Sequence, residues 1–207
     1  MLNLLDHVLG SESKVQMLRA LLPLDTPASG RETQRLAGVR SNAGAQRALD
    51  ELSDLRILER TEAGGAHLYQ INRAHHLFEA LAGLFEREQG SLDVVRTELE
   101  RALGPAGEAP EVLSVVVFGS VATGNARPGS DLDVLVLTAA KEATADVEAR
   151  IRAAATPLSR RLGLSLSPYV LSRADASFRY HDGDPLMQAI MTDGRTLIGA
   201  FLQELLP

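Results

Sequence analysis

The chain has no cysteine, which excludes a disulfide framework, thiolate zinc sites and a cysteine nucleophile. It also lacks a long apolar run. The longest, Val112–Phe118, is far too short to cross a bilayer, so no membrane partner is expected. Between Met1 and Leu9 the chain carries Asp6 and His7, where a secretory leader would carry basic residues. Mature sequence and cytoplasmic residence are the expectations. Lysine is nearly missing, with Lys14 and Lys141 the only two, and nothing in the sequence explains this.

What is present is the composition of a globular protein. The 207 residues are 45% hydrophobic, enough for one large domain or two small ones. The net charge of −6 argues against a nonspecific polyanion binder, yet the charge is uneven. Between residues 30 and 49, Arg31, Arg35, Arg40 and Arg47 face only Glu32. A small basic patch on an acidic protein suits local phosphate contact better than a general electrostatic field.

Glycine and proline between Gly104 and Pro110 mark the clearest boundary. Before it the pattern is mostly helical. Val15, Leu18, Leu21 and Leu22 form a stripe closed by Pro23. A short helix is predicted over Arg31–Ala37, and another from Ser41, a good N-cap, to about Leu55. Ile57–Arg60, a glycine-containing loop at residues 61–65 and His67–Ile71 read as a β-hairpin. Leu77, Phe78, Leu81, Leu84 and Phe85 recur at helical spacing, as do Leu92, Val95, Leu99 and Leu103; these two helices link the halves or form a dimer surface, with core burial expected for their apolar stripes. After the boundary, strands are expected at residues 112–118, 132–137 and 164–171, helices at 143–162 and 184–192, and a last extended piece at 195–198.

The candidate chemistry lies where a buried strand ends in Gly119-Ser120 and the next opens with Asp131-Leu132-Asp133. Glycine lets the backbone turn tightly and admits a phosphate to amide N–H groups; the serine hydroxyl adds a donor, and a short helix starting near Ser120 would favour an anion. Strand alternation puts Asp131 and Asp133 on one face, roughly 6.6 Å apart. At an effective dielectric near 20 two such charges repel by about 2–3 kcal/mol. Folding does not require that arrangement, whereas Mg²⁺ would turn the repulsion into coordination shared with phosphate oxygens.

Residues 119–136 resemble the minimal nucleotidyltransferases of the DNA polymerase beta superfamily, whose signature is Gly-Ser, a spacer of this length and Asp-x-Asp on a strand. The resemblance implies Mg²⁺-dependent transfer of a nucleoside monophosphate from an NTP to a hydroxyl. Gly119 and Ser120 would hold the triphosphate; Asp131 and Asp133 would hold metal. One departure stands out. The family's active members carry a third carboxylate on the strand after the helix, and residues 164–170 contain none. Ser165 and Ser167 are expected on the relevant face, with Asp175, Asp182 and Asp184 the nearby acids that could substitute from a loop.

The N-terminal order of helices and hairpin resembles a winged helix-turn-helix domain over about residues 11–72. On its third helix Ala45, Ala48, Leu49, Leu52 and Leu55 share one face, while Ala43, Gln46, Arg47 and Asp50 share the other. Gln46 and Arg47 would contact bases of double-stranded DNA, Arg40 and Ser41 its backbone. The fold class expected is therefore α+β: a winged helix over 1–73, connecting helices and linker over 74–110, and a small nucleotidyltransferase-like domain with a mixed sheet over 111–207. The function expected is a DNA-binding nucleotidyltransferase, with homodimerisation through the connecting helices. The alternatives are a catalytically degenerate, nucleotide-binding regulator or antitoxin-type protein, and a resistance-type transferase of small molecules.

Overall fold

A computed structural model describes residues 8–104, 111–126 and 129–206. The residues 105–110 of the Gly/Pro boundary, Arg127 and Pro128 of the motif, and residues 1–7 lie outside the described ones. The chain divides into two compact units, residues 1–89 and 90–207.

The first unit contains α1 (Glu12–Leu21), β1 (Ala28–Ser29), α2 (Gly30–Ala37), α3 (Asn42–Asp54), β2 (Leu58–Ala63), β3 (Ala66–Ile71) and α4 (Phe78–Gln89). Serine caps set the helix starts: Ser11, Ser29 and Ser41 accept from Lys14, Glu32 and Gly44 backbone N–H groups, satisfying donors that no helical carbonyl reaches. The hairpin is longer than its sequence suggests. Its strands run through Thr61–Ala63 to a two-residue turn, because Gly64 and Gly65 both take positive φ, 58° and 79°, which a tight hairpin turn needs. The two-residue β1 pairs with β3, giving the order β1-β3-β2. Met17, Leu18, Leu49, Leu52, Tyr69 and Phe85 are fully or nearly buried in one core.

The second unit contains α5 (Ser91–Leu103), β4 (Val112–Phe118), α6 (Gly119–Ala122), β5 (Asp131–Thr138), α7 (Thr144–Ala153), α8 (Ala155–Leu162), β6 (Ser165–Ser172), α9 (Arg173–His181), α10 (Pro185–Asp193), β7 (Arg195–Gly199) and α11 (Leu202–Leu205). Its sheet is mixed, in order β6-β5-β4-β7, with β5 and β6 parallel and the other pairs antiparallel. Alternate residues of the strands serve two cores. Val115, Val117, Leu132, Val134 and Val136 pack with α5, α7 and α8; Val116, Leu135 and Leu137 pack with α9, α10 and α11. A sheet covered on both faces needs such continuous apolar runs.

Two expectations are corrected. The helix expected over 143–162 is two helices that meet at Ala154, since Pro157 has no N–H and its ring crowds the carbonyl of the residue four before it. Residues 173–181, expected as loop, form α9, capped by the Ser172 hydroxyl. The apolar stripes of the two helices between the halves are buried in cores, as expected: Leu81 and Phe85 of α4 belong to the first core, and Val95, Leu99 and Leu103 of α5 to the second. Hydrophobic spacing shows that a helix is buried, but not against which core.

Helix α5 is also tied down by charge. Glu98 is buried and bonds both Arg101 and Arg161 of α8, which hold its carboxyl below the usual carboxylate range, Arg161 most strongly. A lowered native pKa stabilises fully above the unfolded value, and that contribution goes as pH falls through the lowered one. Glu98→Gln is therefore expected to flatten the acid limb of the second unit's stability, read by thermal melts between neutral and acidic pH. A limb of unchanged slope would assign it to other carboxylates. No helix among the described residues is long and apolar enough to cross a membrane.

Candidate active site

The antiparallel register sets Phe118, the last residue of β4, against Asp133. Leu132 and Val134 are completely buried on one face of β5, so Asp131 and Asp133 emerge on the other. Asp131 is exposed and Asp133 half-buried. Immediately after Phe118 the chain turns at Gly119 with φ +69°, a conformation that costs a residue with a Cβ about 1–2 kcal/mol. The turn also lies against the carboxylate: a Cβ on Gly119 would stand 2.6 Å from Asp133 Oδ2. Glycine is required here twice, for the backbone angle and for the close approach of an acid.

The carboxyl of Asp133 is pushed above the usual aspartate range, first by burial and then by the charge of Asp131, with the Ser167 hydroxyl bond opposing both. Desolvation and a like charge both disfavour the ionised form. In the parallel pairing of β5 with β6, Ser165 is level with Asp131 and Ser167 with Asp133. The strand positions beside the acid pair are thus occupied by two serines. Among the described residues, no group of three acids or histidines is close enough to hold a metal ion. The three acids considered as substitutes have other places: Asp184 caps α10 through the N–H groups of Leu186 and Met187, Asp175 lies in the first turn of α9 bonded to Ser172, and Asp182 ends α9.

A cleft of about 610 Å³ opens at this end of the sheet, lined by Phe118, Gly119 and Thr123, by Asp133 of β5, by Ser167 and Tyr169 of β6, and by Leu186, Ile190 and Asp193 of α10. Ser120 and Asp131 do not line it. The Ser120 carbonyl accepts from the Asn125 N–H at 2.8 Å, and the Thr123 hydroxyl donates to the Gly119 carbonyl at 3.1 Å, so the loop after the turn is closed on itself. The sequence reading missed Thr123 and Asp193. Threonine four residues after a glycine turn is a weak signal, and Asp193 is seventy-four residues from Gly119 in sequence.

In the first unit, Arg40, Ser41, Gln46 and Arg47 are all exposed on or just before α3, opposite the buried Ala45, Ala48, Leu49 and Leu52. Arg31, Arg35, Arg40 and Arg47 form no ion pair among the described residues. The Ser41 hydroxyl already accepts from Gly44 N–H at 3.1 Å. Gln46 is less free than its exposure suggests: its amide nitrogen donates to Asp50 Oδ1 at 3.0 Å and approaches the Tyr69 hydroxyl at 3.2 Å. Asp50 in turn is 3.4 Å from Arg60 of β2. Gln46 and Tyr69 line a concavity of about 700 Å³ together with Arg31, Gln34, Asn42 and His67, whereas Arg40, Ser41 and Arg47 do not line it.

Residues 95–170 match the nucleotidyltransferase domain family, from the first half of α5 to the middle of β6. The match includes Gly119, Ser120, Asp131 and Asp133, covers less than half of the chain, and ends before Asp193. None of the curated proteins matches this chain. Two solved structures are similar to parts of it. One, described as a toxin-antitoxin with AMP-PNP, is 21% identical, with 53% of this chain and 77% of that chain covered and a TM-score of 0.33. The other, the toxin-antitoxin MntA-HpeT in a mutant form, is 18% identical, with 55% and 77% covered and a TM-score of 0.32.

Proposed function

We propose that the second unit is a nucleotidyltransferase that takes an NTP with Mg²⁺ and passes a nucleoside monophosphate to a hydroxyl acceptor, in a cytoplasmic protein whose first unit binds double-stranded DNA as a winged helix-turn-helix. The observation that carries the enzymatic half is the Asp133 carboxylate packed against the Gly119 turn, with Asp131 beside it on the same strand face. A divalent cation fits that donor set. Two carboxylates that repel, with Asp133 partly desolvated, gain from a shared positive charge, and the turn puts no side chain of its own beside Asp133 to bar an incoming phosphate.

Asp131 and Asp133 would hold the metal, which would supply charge neutralisation of the polyphosphate. The chain's own groups do the rest. Backbone N–H groups of the Gly119-Ser120 turn orient the phosphates, and the cleft wall of Leu186 and Ile190 excludes water from one side of the bound nucleotide. A thermal melt with Mg²⁺-ATP tests this half: the midpoint is expected to rise, and the same midpoint with and without nucleotide would reject it. The second reading, a regulator that binds nucleotide without turnover, is favoured by Ser165 and Ser167 standing where the family's third acid is expected.

The DNA-binding half is supported by four arginines without carboxylate partners around α2 and α3, and by the exposed polar face of α3 above a fully packed one. Arg47→Ala is expected to weaken binding to a target duplex by about 1–3 kcal/mol if it meets a base edge, read by fluorescence anisotropy at fixed salt. Unchanged affinity would remove Arg47 from the interface. Gln46, held by Asp50 and Tyr69, meets DNA mainly through its amide oxygen, so pairing with adenine through both amide atoms would first require breaking those bonds.

A further inference from the structure

The cleft contains one acid that is not on β5. Asp193 ends α10, is exposed, and lines the same cleft as Gly119 and Asp133. Its position follows from the sheet. Arg195 at the start of β7 pairs with Val117 of β4, so the connection from α10 into β7 runs beside the end of β4 that leads into Gly119. On the other edge of β4, Phe118 pairs with Asp133. The cleft at the Gly119 turn is thus lined by two aspartates, one from β5 and one from the end of α10 before β7.

The connection that places Asp193 is closely packed. A Cβ on Gly194 would stand 2.4 Å from the Ile190 carbonyl oxygen and 2.8 Å from Val116 Cγ1, so the chain can leave α10 this close to β4 only with glycine there. Asp193 itself has no hydrogen-bonded or ionic partner among the described residues, unlike Asp184, which caps a helix and faces Arg179. No arginine or lysine lines the cleft to neutralise it. An exposed acid with no structural bond, held beside a tight turn in the same cleft as Asp133, is placed for a substrate group.

We propose that Asp193 is a catalytic residue that accepts the proton of the acceptor hydroxyl, replacing the carboxylate that β6 lacks. The proposal rests on the nucleotidyltransferase reading. In the step, the acceptor oxygen forms a bond to the α-phosphorus of the NTP. The bond from that phosphorus to the oxygen bridging the β-phosphate breaks, pyrophosphate leaves with the electron pair, and the hydroxyl proton passes to Asp193. Asp133 and Asp131 stay on the nucleotide side of the reacting phosphorus, and Ser167 keeps its bond to Asp133.

The test uses the full chain with Mg²⁺ and α-labelled ATP, measuring pyrophosphate release and label transfer with water alone and with a cell lysate as the source of hydroxyls. Asp193→Asn is expected to lower the rate about 100-fold while leaving the Kd for Mg²⁺-ATP within about twofold. Asp193→Glu should restore part of the rate, and thermal melts of both variants show whether the fold is kept. An Asp193→Asn protein that turns over at the wild-type rate would overturn the assignment. So would a wild-type chain that binds Mg²⁺-ATP and yields no pyrophosphate with either acceptor source, although nucleotide binding would then stand. Absence of nucleotide binding itself would remove the transferase reading and this proposal with it.

Discussion

Alanine at both Asp131 and Asp133 is expected to abolish the thermal stabilisation by Mg²⁺-ATP, and any transfer activity, without destabilising the ligand-free protein. Two effects of opposite sign meet at this pair. With metal and nucleotide, the carboxylates contribute the charge that holds both. A ligand at a hundredfold excess over its Kd stabilises by about 2.7 kcal/mol, and that is the quantity lost. Without ligand, the pair is a cost: Asp133 is partly desolvated and lies beside a like charge. Removing both charges relieves this repulsion, so the ligand-free midpoint should stay level or rise. Differential scanning fluorimetry of both proteins, with and without Mg²⁺-ATP, separates the effects. Equal nucleotide shifts in the two proteins would exclude these acids as the metal site, and a fall in the ligand-free midpoint would mean the pair serves folding.

Gly119→Ala is expected to be as damaging to the site and, unlike the acid pair, damaging to the fold. The new methyl group would occupy a left-handed backbone position, φ +69°, and would lie 2.6 Å from Asp133 Oδ2. The backbone cost is about 1–3 kcal/mol. The carboxylate must also move from the turn, so Mg²⁺-ATP binding should fall at least tenfold, at about 1.4 kcal/mol per tenfold. The two costs can be separated, because only the second involves Asp133. Adding Asp133→Ala to Gly119→Ala removes the atoms the methyl group meets and should return part of the lost stability, a coupling measurable by a double-mutant cycle. If urea denaturation shows strictly additive losses, the close approach is not what the glycine serves.

The elements of this protein were largely legible in its sequence where one physical signal dominates. Ser41 as an N-cap marked the start of α3, and the short helix expected from Arg31 begins one residue earlier, at Gly30. The apolar runs marked β4 and β5, and the change of period across the Gly/Pro boundary marked the passage from a helical half to a sheet. Failures came where two signals compete. The long helix expected after β5 contained a proline whose local effect outweighs the periodicity on either side. In α9, Ala176 is its only fully buried residue and Phe178 is largely exposed, so its sequence has little amphipathic pattern to detect.

The candidate site divides along the same line. Gly119, Ser120, Asp131 and Asp133 lie within one short stretch, and strand alternation alone sets the two acids on one face. The sequence by itself determined that pair, the glycine turn before it, the basic stretch around Arg40 and Arg47, and the absence of an acid between Leu164 and Val170. Only the tertiary structure decided that Asp133 touches the turn while Asp131 does not line the cleft, that α4 and α5 belong to different cores, and that Asp193 lines the same cleft as Asp133. Periodicity and capping act over a few residues and are written locally. Which strand lies beside which, and so which distant side chains share a cleft, is set by the packing of a mixed sheet whose neighbours are far apart in the chain.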